Sequence, residues 1–193
     1  MLKITEISFG YGNKKILDHF SLSIESGEIV AVMGPSGCGK STLLNLIAGL
    51  KKASIGTIER NTERISYAFQ EPRLFPWLTV NENLLAVLPT QDADAQARVD
   101  HALSALSLSD AKGLYPHELS GGMKSRISLA RALVYNGDLM LLDEPFSALD
   151  ETLRSSLART IREECKARGT TVILVTHSLS EANAMADRTI TLA

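Results

Sequence analysis

Little cysteine, little net charge and no long apolar run mark this sequence, and each absence excludes a class of protein. The two cysteines, Cys38 and Cys165, lie far apart with no Cys-x-x-Cys spacing, which argues against a disulfide scaffold or a zinc site and for a reducing compartment. The net charge of −2 gives no field that would hold the chain to nucleic acid or anionic lipid. The apolar runs are strand-sized and fall far short of the ~20 residues that span a bilayer, so any membrane role requires a partner.

The composition that remains, 45% hydrophobic and 22% charged, is typical of a globular domain. Alternate residues are apolar up to Ile24, which predicts antiparallel strands with a turn at residues 11–13. From Ile29 onwards, strand-sized apolar runs alternate with amphipathic stretches, and this order predicts an α/β fold with a largely parallel, doubly wound sheet. The predicted strands of this second part lie at 29–33, within 55–69, and at 139–142, 171–175 and 189–192. The predicted helices lie at 41–48, within 80–108 with a break near Pro89, and at 120–134 and 151–168.

The order of these elements predicts one domain over residues 1–193 with a helical insertion. The mostly helical segment 78–134 lies between two strands of the predicted sheet, so it is interpreted as a subdomain. The core, which includes the antiparallel β subdomain, is assigned to 1–77 and 135–193. The linkers are the loop at 70–77, which contains two prolines, and residues 135–137.

A glycine-rich string from Gly34 to Ser41, Gly-Pro-Ser-Gly-Cys-Gly-Lys-Ser, matches G-x-x-x-x-G-K-[ST]. It follows an apolar strand and begins a helix, the context in which backbone N–H groups surround phosphate oxygens at a helix N-terminus. Lys40 is predicted to reach the β- and γ-phosphates of a nucleotide and Ser41 to ligate Mg²⁺. The alternative is a glycine-rich turn with an unrelated lysine. The predicted nucleotide-binding residues of this segment are Gly34, Ser36, Gly37, Cys38, Gly39, Lys40, Ser41 and Thr42.

Two adjacent carboxylates, Asp143 and Glu144, end the apolar strand at 139–142. Neighbouring side chains of a strand point in opposite directions, so the two acids are predicted to act differently. Asp143 suits the Mg²⁺ shell, and Glu144 suits polarisation of an attacking water. Alone, the pattern is weak because strand ends are often acidic, and it gains its meaning from the glycine-rich string.

Several further segments resemble the motifs of the ABC transporter ATPase family, in that family's order. Leu119–Met123, Leu-Ser-Gly-Gly-Met, resembles the signature that is usually written LSGGQ, and residues 147–150 resemble the D-loop. Gln70, His177 and Tyr11 are placed like the Q-loop glutamine, the switch histidine and the aromatic residue that stacks on adenine. The resemblance covers essentially the whole chain and implies an ATPase that uses ATP and Mg²⁺.

The resemblance also implies which residues act and how two copies cooperate. The implied catalytic residues are Glu144, His177, Gln70 and Lys40, and the implied Mg²⁺ ligands are Ser41, Gln70 and Asp143. The family pairs two copies head to tail, so that Ser120, Gly121 and Gly122 of one cover the γ-phosphate held by the other. Taken alone, these three residues are equally an ordinary helix N-cap. Met123 replaces the usual glutamine, which puts one polar contact near that interface in doubt.

The loop that follows Phe69, Gln-Glu-Pro-Arg-Leu-Phe-Pro-Trp-Leu-Thr-Val, is similar to that of the nitrate, sulfonate and taurine importer ATPases, which also carry Met in the signature. This resemblance implies that the chain associates with transmembrane permease subunits, a second copy of itself and a solute-binding protein, at the cytoplasmic face of the cell membrane. Phe75 and Trp77 are expected to dock the permease. The alternative is that both rings pack inside the chain and pin the helical subdomain.

Two other classes of function compete with the importer ATPase. A soluble ABC ATPase would serve translation, DNA repair or cluster assembly, and of these only cluster assembly fits a chain with one such domain and no coiled-coil insertion. A phosphotransferase would use the glycine-rich loop alone, and the signature, the D-loop and His177 argue against it. The transported solute is not encoded in residues that bind nucleotide.

Overall fold

Two β-sheets organise the chain in the computed structural model, which describes residues 1–12, 14–88 and 93–192. Asn13 of the predicted turn and the predicted break at Pro89 lie outside the described residues. The strands are β1 (Leu2–Tyr11), β2 (Lys14–Ile24), β3 (Ile29–Met33), β4 (Ile55–Arg60), β5 (Ile65–Ala68), β6 (Leu139–Asp143), β7 (Thr171–Val175) and β8 (Arg188–Thr191). The α-helices are α1 (Lys40–Ile47), α2 (Val80–Leu85), α3 (Ala95–Ala105), α4 (Gly121–Tyr135), α5 (Glu151–Arg168) and α6 (Leu179–Met185).

The smaller sheet is antiparallel and has the order β2-β1-β4. Ile4 lies at its centre, paired with Leu22 of β2 and Ile58 of β4. Leu2 and Ile4 are buried and Lys3 between them is exposed, as the predicted period-2 alternation requires, whereas Ile7 is buried three residues after Ile4, across a register shift in β1. The strands predicted within 55–69 are divided between the sheets, because β4 joins this sheet and β5 joins the other.

The larger sheet is parallel throughout and has the order β5-β6-β7-β3-β8. Strand alternation sends Leu139 and Leu141 of β6 into one core, shared with α1 and the antiparallel sheet. Met140 and Leu142 point into the other core, which α2 to α5 cover. Both faces are therefore buried, as the continuous apolar runs predicted.

Parallel strands end at the same edge of a sheet, and this fact places the predicted motifs together. The loops after β3, β5, β6 and β7 all leave that edge, and they carry the glycine-rich string, Gln70, Glu144 and His177 respectively. In open α/β sheets, ligands bind outside the carboxyl ends of the strands. This edge is therefore where a site is expected.

The helices follow the predicted pattern, except that α6 was not predicted. The stretch predicted as helical over 80–108 with a break near Pro89 contains two helices, α2 before that residue and α3 after it. On α5, the predicted stripe is confirmed, with Leu157, Ile161 and Cys165 buried and Leu153 partly buried. Within the described parts of the chain, no helix is long and apolar enough to cross a membrane. The division into a core and a subdomain at 78–134 stays a prediction.

Candidate active site

The loop between β3 and α1 needs its glycines for steric reasons. Gly39, the N-cap of α1, has φ 106, and a Cβ on it would lie 2.6 Å from Ile16 Cγ2. A Cβ on Gly34 would lie 2.3 Å from the carbonyl oxygen of Leu192. Gly39 makes no side-chain hydrogen bond to the start of α1, so the N–H groups of the first turn are available as donors for an anion.

Lys40 is buried beside this loop, with its side chain folded over the loop backbone. Its Nζ donates to the carbonyl oxygens of Gly34 at 2.8 Å and Pro35 at 2.9 Å. Only 6% of Lys40 is exposed, so its charge lies in a region of reduced solvent screening. An ammonium group with three donors that uses two on carbonyls keeps a donor for a phosphate oxygen.

Ser41 and Asp143 are brought together although 102 residues separate them in the chain. The Ser41 hydroxyl donates to Asp143 Oδ1 at 3.0 Å, and Asp143 is 4% exposed. Burial raises the pKa of the Asp143 carboxyl and the nearby charge of Glu144 raises it further, while the hydrogen bond from Ser41 and the charge of Lys40 lower it.

This donor set fits Mg²⁺ held jointly with a substrate. A hydroxyl and a carboxylate are the hard oxygen ligands that Mg²⁺ prefers. Among the described residues, no group of three or more His, Cys, Asp or Glu side chains could form a closed metal site. Two protein oxygens with room for phosphate oxygens and water is the usual arrangement at nucleotide sites.

Glu144 follows β6 in a left-handed conformation, with φ 46. This differs from the sequence argument, which separated the two acids by strand alternation: the strand ends at Asp143, and a turn orients Glu144. The backbone N–H of Glu144 donates to the carbonyl oxygen of Val175 at 2.9 Å, which fixes the turn against β7. Glu144 Oε2 lies 3.4 Å from His177 Nδ1. The predicted carboxylate and histidine are thus brought into contact.

A cavity of about 320 Å³ lies at this edge of the sheet. Its lining residues are Tyr11, Ile16, Ser36, Gly37, Gly39, Lys40, Ser41, Thr42, Gln70 and Glu144. All except Ile16 were predicted from the sequence. Ile16 was not predicted, because an isoleucine on a strand of alternating apolar residues gives no sign that it contacts a ligand. Of the other predicted residues, Gly34 and Cys38 belong to the loop without lining the cavity, and His177 lies beside it.

Tyr11 lies at the rim of the cavity and half of it is exposed. The hydrogen bond with Thr42 is the largest cause that lowers the pKa of the Tyr11 hydroxyl, and a hydrogen bond with Lys51 lowers it further. The Lys51 ammonium lies 4.9 Å from the ring centroid, and the edge of the Phe9 ring packs against the same tyrosine at 5.1 Å. The ring is therefore held at the entrance, where a flat base can reach it.

The signature segment does not line this cavity. Ser120 caps α4, because its hydroxyl accepts the Met123 N–H at 3.2 Å, and both Ser120 and Gly121 are exposed. A Cβ on Gly122 would lie 3.2 Å from the carbonyl oxygen of Ala148. The glycine therefore lets the helix approach the D-loop, and the N-terminus of α4 remains open for an anion from another molecule.

The loop that precedes α2 holds two aromatic rings at the surface. Phe75 is 40% exposed and Trp77 is 70% exposed. Asn83, which is fully buried, fixes this loop: its Oδ1 accepts the Phe75 N–H at 2.8 Å and its Nδ2 donates to the carbonyl oxygen of Leu78 at 3.0 Å. Sequence reasoning missed Asn83, and the exposure of Trp77 argues against a role in pinning the helices.

The fold and the glycine-rich loop between β3 and α1, a P-loop, define a nucleotide-binding α/β domain. The family model described as ABC transporter matches residues 17–147. The chain belongs to the ABC transporter family of ATP-binding subunits, which hydrolyse ATP. The prediction of the family from the signature, the D-loop and the glycine-rich string is confirmed.

Curated relatives and solved structures agree with this assignment. The chain is 40% identical to the aliphatic sulfonates import ATP-binding protein SsuB of Bacillus licheniformis, over 97% of this chain and 77% of that protein. It is 43% identical to SsuB of Yersinia pestis, over 97% and 70% of the two chains. The bacterial ABC transporter cassette MJ0796, solved as a dimer, superposes with a TM-score of 0.90 at 29% identity, over 100% of this chain and 94% of that one. The same cassette bound to ADP and Pi gives a TM-score of 0.89 at 30% identity, with the same coverage.

Proposed function

We propose that the chain is the ATPase subunit of an importer for aliphatic sulfonates, bound to the permease at the cytoplasmic face of the cell membrane. The observation that carries the ATPase part is the convergence of Lys40, the Ser41–Asp143 pair and Glu144 on one cavity. The substrate class is taken from the SsuB relatives, which are at least 40% identical over nearly the whole chain. A non-transport ABC ATPase has no comparable support.

Lys40 and the helix N-terminus are assigned to hold the phosphates of ATP. The Lys40 ammonium exchanges the carbonyl oxygens of Gly34 and Pro35 for β- and γ-phosphate oxygens, and the first N–H groups of α1 donate to the same anion. Tyr11 stacks against the base at the rim. Binding of this kind gives affinity for the triphosphate while the cavity stays open to water on one side.

Ser41, Asp143 and Gln70 are assigned to the Mg²⁺ site. When bound there with ATP, Mg²⁺ supplies positive charge that offsets the negative charge of the phosphates. Ser41 contributes its hydroxyl and Asp143 its carboxylate, from elements that the fold already brings to 3.0 Å. Gln70 lines the same cavity at the start of the loop that bears Phe75 and Trp77, so it connects the site with that loop.

Glu144 and His177 are assigned to the attacking water. The Glu144 carboxylate lines the cavity and accepts the proton of the water as the water attacks the γ-phosphorus. His177 lies 3.4 Å from it and orients the carboxylate and the γ-phosphate. The backbone N–H of Glu144 donates to the carbonyl oxygen of Val175. This hydrogen bond fixes the left-handed turn and so holds the carboxylate in one position at the cavity.

The second copy of the chain supplies Ser120, Gly121 and Gly122 to complete each site. The support is that this helix N-terminus is exposed and lines no part of its own cavity, and that the similar cassettes are dimeric. Two copies placed head to tail bury two ATP molecules between a P-loop and a signature. Phe75 and Trp77 remain outside this interface and dock the permease.

Complementation tests the proposed function. A host that lacks its own sulfonate-import ATPase subunit, but keeps the permease and the binding protein, would express this chain and grow with an aliphatic sulfonate as sole sulfur source. Growth is expected for the wild-type chain and not for Lys40→Ala, while both should grow on sulfate. Failure of a well-expressed wild-type chain, together with intact ATPase activity in vitro, would leave the ATPase assignment standing and overturn the substrate.

A further inference from the structure

Glu181 is a buried carboxylate that the proposed chemistry does not use. It is 3% exposed and lies in the first turn of α6, four residues after His177. Burial raises the pKa of its carboxyl, whereas the hydrogen bond from Thr176 and the charge of Arg154 lower it. A buried carboxylate is unfavourable unless it is paired and hydrogen-bonded, so its two partners show what it holds in place.

One oxygen of Glu181 binds the segment that carries His177. The Thr176 hydroxyl donates to Glu181 Oε2 at 2.5 Å and accepts the Ser178 N–H at 3.0 Å. Ser178 in turn accepts the Glu181 N–H at 3.4 Å. The residues immediately before and after His177 are therefore both tied to the glutamate, whereas the imidazole itself is 61% exposed and contacts Glu144.

The other oxygen of Glu181 faces the start of α5. Arg154 Nε lies 3.4 Å from Glu181 Oε1 as an ion pair. The same guanidinium donates to the carbonyl oxygen of Leu149 at 2.8 Å and to Glu151 Oε2 at 3.2 Å. Leu149 belongs to the D-loop, residues 147–150, on which Gly122 of the signature packs. One arginine thus connects the buried carboxylate with the D-loop backbone.

We propose that Glu181 and Arg154 are positioning residues that fix His177 relative to the D-loop, so that a displacement of the D-loop is transmitted to the catalytic edge. The proposal rests on the role assigned to His177 above. The geometry favours coupling over simple bracing. One oxygen of Glu181 binds the loop that carries His177, and the other forms an ion pair with Arg154 of α5, whose guanidinium binds the D-loop carbonyl oxygen of Leu149. A misplacement of about 1 Å in a catalytic group lowers rates by up to roughly 100-fold.

A matched control is available at the other end of α6. Asp187 accepts hydrogen bonds from Arg162 and Lys166 of α5 and from the backbone N–H of Ile29. It follows the end of α6 and therefore joins α5 to the segment after α6 by charged contacts, at a site away from His177 and the D-loop. Asp187→Asn should weaken the packing of the two helices, and it should leave the turnover of ATP within about twofold of wild type.

The test is a double-mutant cycle in the full-length chain, with kcat for Mg-ATP hydrolysis, ATP affinity and Tm as readouts. Glu181→Gln keeps the size of the side chain and removes its charge, and it should lower kcat by roughly 10- to 100-fold with ATP affinity within about twofold of wild type. In a His177→Ala background the same change should have no further effect on kcat beyond about twofold, because Glu181 acts through His177. Asp187→Asn should change Tm and remain additive with His177→Ala.

Each result decides a different question. If His177→Ala hydrolyses ATP at the wild-type rate, the role assigned to His177 fails and the coupling fails with it. If His177→Ala is impaired and Glu181→Gln multiplies that loss, the assigned role survives and the coupling is overturned, since the glutamate then acts independently. If Glu181→Gln does not fold, Arg154→Lys, which keeps the charge and loses the planar fork, should show the same non-additivity with His177→Ala, and additive behaviour overturns the proposal.

Discussion

Replacing Glu144 with glutamine should separate ATP binding from ATP hydrolysis. Glutamine is nearly isosteric with glutamate, and the hydrogen bond between Ser41 and Asp143 does not involve Glu144, so the phosphate and Mg²⁺ contacts remain. The amide cannot accept a proton from the attacking water. Loss of a general base costs about 10²- to 10⁴-fold in rate, which corresponds to about 3–6 kcal/mol in the activation barrier at about 1.4 kcal/mol per tenfold.

ATP that is bound but not hydrolysed should hold two copies together. Each ATP at about 100 times its dissociation constant from the shared site stabilises the dimer by at most about 2.7 kcal/mol, the value for a ligand that does not bind the single chain. Two sites therefore contribute at most about 5 kcal/mol, which raises the dimerisation constant by at most roughly 10⁴-fold. The structural reason is that the exposed N-terminus of α4, at Ser120, reaches a phosphate only from a second molecule.

Size-exclusion chromatography with light scattering measures this directly. Glu144→Gln with Mg-ATP should elute with close to twice the 20.9 kDa of the chain, and the dimer should dissociate when ATP is removed. Two controls should remain monomeric. One is the wild-type chain, which hydrolyses its ATP. The other is a Glu144→Gln/Ser120→Glu double variant, in which a carboxylate lies at the helix terminus that is assigned to phosphate. A Glu144→Gln chain that hydrolyses ATP at the wild-type rate would refute the assignment of the base, and one that stays monomeric even on its reconstituted permease would refute the shared site.

Three further predictions follow from the contacts described. Lys40→Ala removes the ammonium that lies over the loop, so hydrolysis measured by phosphate release should fall by at least 10²-fold; unchanged activity contradicts the P-loop assignment. Phe75→Ala combined with Trp77→Ala should weaken co-purification with the permease while Tm and ATP affinity stay near wild type, because both rings are exposed; a large drop in Tm with unchanged co-purification would show that the rings serve packing. Burial would raise the pKa of Asp187, but hydrogen bonds, first from Lys166, lower it from 3.8 to about 2, so the stabilisation is present above about pH 4 and is lost as the pH falls towards 2. Since Asp187 is partly exposed, chemical denaturation should find Asp187→Asn about 1–2 kcal/mol less stable at pH 7, with the difference mostly lost at about pH 2 and absent below it; a constant difference at all pH values would contradict the linkage.

The sequence was most informative where local pattern and chemistry coincide. The runs at 29–33 and 139–142 are apolar at every position, and such runs form strands only when both faces are covered. In the string from Gly34 to Ser41, neighbouring atoms lie closer to Gly34 and Gly39 than a Cβ would allow, and a helix begins directly afterwards. Few other sequences meet both conditions. These features depend on neighbours in the chain, so a reader of the sequence can predict them.

Features that depend on contacts distant in the chain escaped prediction. The division of β4 and β5 between two sheets depends on pairing with β1 and β6, which no local pattern encodes. The left-handed turn at Glu144 is held by Val175, from the neighbouring strand. Asn83 was unremarked because an asparagine in the first turn of a helix is ordinary, and only its burial among the carbonyl groups of the preceding loop shows its role.

The position of the two helix termini that are assigned to phosphate would explain, on the proposed arrangement, why one chain is only half of a catalytic unit. The N-terminus of α1 lies in the cavity with Glu144, so it can bind ATP alone. The N-terminus of α4 is exposed elsewhere and is joined to the D-loop through Gly122, and the D-loop is joined through Arg154 and Glu181 to the segment of His177. On the proposed coupling, an anion that a second molecule brings to the N-terminus of α4 would shift the D-loop and, through it, His177 of the same chain. On the proposed arrangement, each site is therefore affected by the ATP that its signature contacts in the partner. This is a physical route by which hydrolysis of the two ATP molecules could alternate or be synchronised.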